Sequence, residues 1–320
     1  MAIGRRRFLK IAGGALSLST LTPQVLVAAS RPGRRIIDVH LHAYPADAVL
    51  EPATNPATGV KSPRWTGAQH YAACLAELDR YNVVKGIVSG GDGDRLKAAL
   101  DWRDHAPGRF IAGAGVRGSE DTPLPPLETL RKAFADRSLQ VLGEVTSQYA
   151  GLSLSDAKYE PYLALCEELD IPVALHTGTM GPGTTFDPCC HTARTRFGVP
   201  DLVEDALNRH PKLRINLMHM GWPYLAETIS VLLLYPNVYV DTGSIAWIPA
   251  RGAFYGYIRA LIDAGFEKRI MFGSDQMFWP EAIGSSVQTV ESATFLTAAQ
   301  KQDIFYNNAS RFYRLDRSST

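Results

Sequence analysis

The chain has 320 residues, with 33 Lys and Arg against 32 Asp and Glu and a formal net charge of +1. Near-neutrality excludes a basic nucleic-acid-binding surface as the organising feature, and 46% apolar with only 20% charged residues excludes disorder as the default. The length accommodates one large domain or two smaller ones.

In chain order, the first segment stands apart. Residues 4–10, Gly-Arg-Arg-Arg-Phe-Leu-Lys, look like a twin-arginine export signal with Arg5 and Arg6 as the pair. Residues 11–27 are weakly apolar, and Val27-Ala28-Ala29 offers small residues for cleavage after Ala29. That run is too polar and too short for a comfortable membrane span. The expectation is a signal over 1–29, read by the twin-arginine export machinery, and a mature domain over 30–320 that is periplasmic or secreted.

From residue 36 onward, apolar strand-like runs alternate with helix-like stretches. Runs at 36–43, 83–90, 110–116, 141–147, 171–177, 214–220, 238–243 and 270–274 predict eight strands. Stretches at 67–81, 94–105, 125–136, 156–169, 200–209, 224–234 and 254–264 predict the helices between them, and 297–314 predicts a terminal helix, with Asp156 and Thr297 read as caps. Such alternation implies a parallel sheet with crossover helices, and eight units fit an α/β (β/α)8 TIM barrel as a single domain. A doubly wound open sheet would announce a Gly-rich phosphate turn after the first strand. A polar segment with four prolines, 44–66, follows instead and reads as an active-site loop.

Buried parallel strands should be almost wholly apolar, so polar residues at their C-terminal ends are informative. The first strand carries His40 and His42, two apart and therefore on one face, with Leu41 pointing away. Strand four carries Glu144, strand five His176, strand six His219 and strand eight Asp275. Singly, each could be a cap or a satisfied core residue. Together they place four imidazoles and two carboxylates around one mouth, which predicts a divalent-metal site.

The loop over 178–199 carries Arg194 and Arg196, whose forked guanidinium groups could select an acidic small-molecule substrate; the alternative is a solvated loop with ordinary salt bridges. Tyr149, Trp222, Trp247, Phe278 and Trp279 fall near strand ends. Trp222 and Trp279 are expected to line an aromatic pocket, against the alternative of rings covering the rim. Adjacent Cys189 and Cys190 could form a vicinal disulfide in an oxidising compartment or pair elsewhere, while Cys74 and Cys166 read as small buried apolar residues.

His40-x-His42, His176, His219 and Asp275, with the tail Tyr306-Asn307-Asn308-Ala309-Ser310-Arg311-Phe312, resemble the amidohydrolase superfamily, in particular the amidohydrolase-related group of lactonases, hydratases and decarboxylases. The resemblance implies metal ligation by His40, His42, His176 and Asp275, with His219 polarising the substrate. It also implies that Glu144 could bridge a second ion, since the modified lysine of binuclear members is absent from this strand. The expectation is one tightly held divalent ion, with a second left open. Zn is preferred, but Mn, Fe or Co would suit the same donors. The expected reaction is hydrolysis of an ester, lactone or amide, with Asp275 handling the water's proton and His219 donating to the carbonyl oxygen. Non-oxidative decarboxylation of an aromatic or unsaturated acid is the alternative, and a non-catalytic ligand-binding barrel the second. A homo-oligomer is compatible with the sequence.

Overall fold

The computed structural model describes residues 33–89 and 94–315; the twin-arginine segment and its cleavage site lie outside them. Eight strands form one parallel sheet in chain order: β1 (Ile36–His42), β2 (Val83–Ser89), β3 (Phe110–Val116), β4 (Val141–Val145), β5 (Val173–His176), β6 (Ile215–Met218), β7 (Val238–Asp241) and β8 (Ile270–Met271). The sheet closes on itself just beyond β8, where Val39 N–H donates to Phe272 O at 2.9 Å and Asp275 N–H donates to His40 O at 2.8 Å. The structure is a single (β/α)8 barrel, as the alternation predicts.

Two apolar layers account for the closure. Ile37, Val39, Ile87, Ile111, Val141, Ala174, Met218 and Met271 fill the barrel, and Ala309 and Phe312 of the C-terminal segment join them. A larger cluster fills the space between the sheet and its helices. In β1, Ile37 and Val39 belong to the inner layer, and Ile36 and Leu41 to the outer. Strict alternation would turn His40 outward with Asp38. A register shift between Asp38 and Leu41 re-aims the strand, so His40 follows Val39 to the inside. The β4 pairing shifts in the same way between Leu142 and Val145, around Glu144.

The crossover helices are α1 (Gly67–Arg80), α2 (Asp94–His105), α3 (Leu127–Ala135), α4 (Glu160–Glu168), α5 (Glu204–Arg209), α6 (Leu225–Leu234) and α7 (Arg251–Asp263). Thr66 starts α1 with a capping box to Gln69, and His70, Cys74 and Leu78 bury one face at a spacing of four. Helix α4 begins at Glu160 rather than at Asp156. The Asp156 carboxylate instead accepts Lys158 N–H in a local turn, and Pro161 occupies the first helical turn. An eighth helix, α8 (Glu281–Glu291), has no counterpart in the sequence prediction. Glu281, Ser285, Gln288 and Glu291 do line its outer side, but Gly284, Ser286 and Thr289 interrupt the buried face, and they and Ser285 are weak helix formers. The terminal segment runs from a Thr297 capping box through Ala298–Gln302, a π turn over Asp303–Asn307 and a last helix over Asn308–Tyr313. Among the described residues no helix is long and apolar enough to cross a membrane.

His70 is wholly buried against Tyr44 and Cys74. Burial, aided by the nearby His42 charge, pushes its pKa from 6.5 to about 4 against the pull of the Met277 backbone. The unfolded chain therefore binds this proton first. The stabilising effect of a neutral His70 is full above pH 6.5 and is lost as pH falls toward 4. A His70→Gln variant is expected to lose less stability than the wild type over that interval, by about 3 kcal/mol at its acid end. Urea titrations at both pH values check this, and parallel losses in the two proteins would show that His70 is not the titrating group.

Candidate metal centre

Six side chains converge on the C-terminal rim: His40 and His42 from β1, Glu144 from β4, His176 from β5, His219 just after β6, and Asp275 just after β8. Asp275 Oδ1 lies 2.9 Å from His42 Nε2 and 3.5 Å from His40 Nε2. Glu144 faces two ways. Its Oε2 is 3.5 Å from His42 Nε2 and 4.0 Å from His40 Nε2, and its Oε1 is 3.7 Å from His219 Nε2. Ligand atoms of His40, His42 and Glu144 lie within 4.8 Å of one another, as do those of Glu144, His176 and His219. Two overlapping donor trios therefore share one carboxylate.

Each of three imidazoles is anchored through Nδ1, leaving Nε2 toward the cluster. His40 Nδ1 lies 3.5 Å from Asp241 Oδ1, His176 Nδ1 is 2.9 Å from Gln148 Oε1, and His219 Nδ1 is 3.0 Å from Gly243 O. Outer partners of this kind fix tautomer and ring orientation at metal sites. Buried His40 Nε2 and His219 Nε2 have no hydrogen-bond partner. Unpaired buried polar atoms are costly unless something else meets them, and nitrogen donors facing two carboxylates are a donor set for a divalent cation. The residues present thus fit the ion that the family resemblance implies.

His40, His219 and Asp241 form a third close trio. In it Asp241 accepts from His219 N–H at 3.2 Å, Gly243 N–H at 2.8 Å and Asn216 Nδ2 at 2.7 Å. Surrounded by donors, Asp241 acts as the support behind the cluster. Asp241 ends β7 and Gln148 lies in the short turn Ser147–Ala150 after β4; sequence reasoning picked out neither.

The electrostatics reflect the crowding. Burial opposes a charged His40, yet Asp275, Asp241 and Glu144 outweigh it and hold its pKa up at about 10. Burial likewise opposes the Asp275 and Glu144 anions, and the surrounding histidines override it and depress both. His176 goes the other way: burial first, then the His219 charge, pushes it down to about 3. Local backbone is also constrained. His219 and Asp275 have φ of 60° and 51°, in the left-handed region that non-glycine residues seldom occupy. Their amides are held by Asp241 Oδ1 and His40 O. Strained residues held by their surroundings cluster at functional sites.

The remaining predicted site residues divide. Arg194 and Arg196 are exposed and do not reach the cluster. Arg194 folds back to donate to His191 O and Ala193 O, both at 2.7 Å, and Arg196 lies over the Phe197 ring. Trp222 packs against Tyr257 and the outer core. Trp279 is buried against Trp247, and its Nε1 donates to Ala53 O at 3.1 Å, which ties the 44–66 loop to the rim. Tyr149 is at the site, with its hydroxyl 3.3 Å from His176 Nε2. Cys189 and Cys190 are joined in a vicinal disulfide, and Cys74 and Cys166 are buried free thiols.

Known proteins give the same picture of the fold. A probable 2-pyrone-4,6-dicarboxylic acid hydrolase from Acinetobacter baumannii, solved with citric acid bound, superposes with a TM-score of 0.62 at 15% identity, over 87% of this chain and 99% of that one. A dihydroxybenzoic acid decarboxylase from Polaromonas, with bound manganese and 2-nitroresorcinol, superposes with a TM-score of 0.58 at 15% identity, over 89% and 98%. Protein fluG of Emericella nidulans is 24% identical over 132 residues, 37% of this chain but only 15% of that protein's length. The Amidohydro_2 family, described as amidohydrolase, matches residues 37–315. With a barrel of this topology, a rim of buried histidines and carboxylates, and a match across nearly all the described residues, the chain belongs to the Amidohydro_2 family.

Proposed function

We propose that this protein is a metal-dependent hydrolase that cleaves an ester, lactone or amide carbonyl of a small substrate. The observation carrying this reading is the shared Glu144 carboxylate between two histidine sets, with Asp275 beside the first. His40, His42 and Asp275, with Glu144, would hold the principal ion; Glu144, His176 and His219 would offer a second position. A divalent ion in this setting supplies Lewis acidity and lowers the pKa of water from ~15.7 toward ~7. Zn is the proposed occupant, with Mn, Fe or Co as alternatives, and manganese is the ion in the Polaromonas decarboxylase.

The chain's own groups then divide the work. Asp275, ionised by its histidine neighbours, would take the proton of the attacking water and pass it to the leaving group. With the second position empty, His219, whose proton is favoured by Glu144 and Asp275 against burial, would donate from Nε2 to the carbonyl oxygen as negative charge develops. Tyr149, kept protonated by burial and nearby anions, offers a further donor at the same mouth.

Metal analysis of the purified protein, combined with turnover of a panel of lactones, esters, amides and phenolic acids, tests this reading. Stoichiometric divalent metal and titratable acid without carbon dioxide support it. Carbon dioxide release from a phenolic acid would replace hydrolysis with decarboxylation, and a metal-free, inactive protein would overturn both. We further propose export by the twin-arginine route to the periplasm or beyond. Replacing Arg5 and Arg6 by lysine should then retain the full-length precursor in the cytoplasm; undisturbed export would refute that.

A further inference from the structure

Gln148 is wholly buried in the Ser147–Ala150 turn, between β4 and the 178–199 loop. Every polar atom of its amide has a counterpart. Nε2 donates to Gly178 O at 3.0 Å and to Arg194 O at 3.5 Å, and Oε1 is 2.9 Å from His176 Nδ1. Carbonyl oxygens can only accept, so the amide end facing two of them must be the NH2. That settles which way the amide is turned, and it leaves Oε1, a pure acceptor, against the imidazole. His176 can satisfy it only by carrying its proton on Nδ1.

The next residue engages the opposite nitrogen. Tyr149 OH lies 3.3 Å from His176 Nε2, with the two rings edge to face at 5.0 Å between centroids. An imidazole protonated on Nδ1 has a lone pair on Nε2, so the phenol donates. Two consecutive residues of one turn thus grip both nitrogens of a single histidine. The grip is closed from the loop side: a Cβ on Gly198 would come within 2.7 Å of both Gln148 amide atoms, so only glycine lets the loop lie this close.

We propose that Gln148 is a positioning residue that selects the Nδ1–H tautomer of His176, keeps its Nε2 lone pair on the rim side, where Tyr149 OH now donates and a bound ion would take the phenol's place, and locks that choice to the placement of the 178–199 loop. The tautomer stands on geometry alone; its consequence for metal binding rests on the proposed metal centre. A merely space-filling glutamine would leave both untouched.

Long-range 1H–15N correlation on histidine-labelled, metal-free protein reads which nitrogen of His176 is protonated. The wild type is expected to show Nδ1–H. Gln148→Leu removes the acceptor and is expected to give a tautomer mixture and an Mn2+ affinity about 10–100-fold weaker. Gln148→Glu keeps an acceptor toward His176 while setting a carboxylate against two carbonyls. It is expected to retain Nδ1–H and near-wild-type Mn2+ affinity. Wild-type Nε2–H, or loss of Nδ1–H in Gln148→Glu, would overturn the proposal. So would unchanged tautomer and Mn2+ affinity in Gln148→Leu; if that variant does not fold, the wild-type and Gln148→Glu spectra decide. Should the wild type bind no Mn2+, the metal reading fails, and the spectra still decide the role of Gln148.

Discussion

Asp275→Asn is expected to reduce turnover by about 10²–10⁴-fold, the range a positioned acid–base group contributes, while divalent metal stays bound. Asparagine keeps the side-chain shape and an oxygen able to face His42, where Asp275 Oδ1 now lies 2.9 Å away. What it loses is the capacity to accept a proton at the point where His40 and His42 keep the carboxylate ionised. Steady-state rates on whichever panel substrate is turned over, measured with metal content on the same preparation, check the result. Retained turnover would remove Asp275 from the proton pathway, and loss of metal in step with activity would make it chiefly a ligand.

Asp241→Asn is expected to destabilise the protein by about 2–4 kcal/mol, because one side chain meets only donors. Asn216 Nδ2, His219 N–H and Gly243 N–H all point at the carboxylate, and His40 Nδ1 lies beside it. A carboxylate can accept from every one of them. An amide must turn its own NH2 toward at least one, leaving two buried donors face to face. For a chain of this size the loss corresponds to a fall in melting temperature of about 3–7 °C. Because Asp241 backs His40 and braces the His219 amide, metal affinity should also weaken by about 10–100-fold. An unchanged melting temperature would mean that the network relaxes around the amide at no cost.

These two aspartates also mark what could be read without coordinates. The eight strands were legible because strands covered on both faces are near-continuous apolar runs, and Asp275 stood out as the polar end of such a run. Asp241 ends Val238-Tyr239-Val240-Asp241 by the same rule, so the signal that identified the other rim residues was present there too. Gln148 had no such mark. Its importance lies in which carbonyls surround its amide, and those come from residues 30 and 46 positions away. The inward aim of His40 depends on a register shift, which period-two reasoning on β1 does not contain. Arg194 and Arg196 left two readings open for the converse reason. Their position in a rim loop was legible, but whether a long flexible side chain enters the mouth or folds back on its own loop was not. Helix α8 escaped because Gly284, Ser286 and Thr289 interrupt the buried face, so its apolar stripe is broken in the sequence.

Ring closure has a consequence for biogenesis. The seam joins Asp38 to Ser274 across 236 residues, and one pairing at that seam, Asp275 N–H to His40 O, links two of the rim residues themselves. On the ribosome, His40 and His42 emerge long before Asp275, the carboxylate that lies nearest to His42. A nascent chain arrested before residue 275 therefore holds a fragment of the donor set, and tight, selective uptake of an ion should begin only after translation has passed that point.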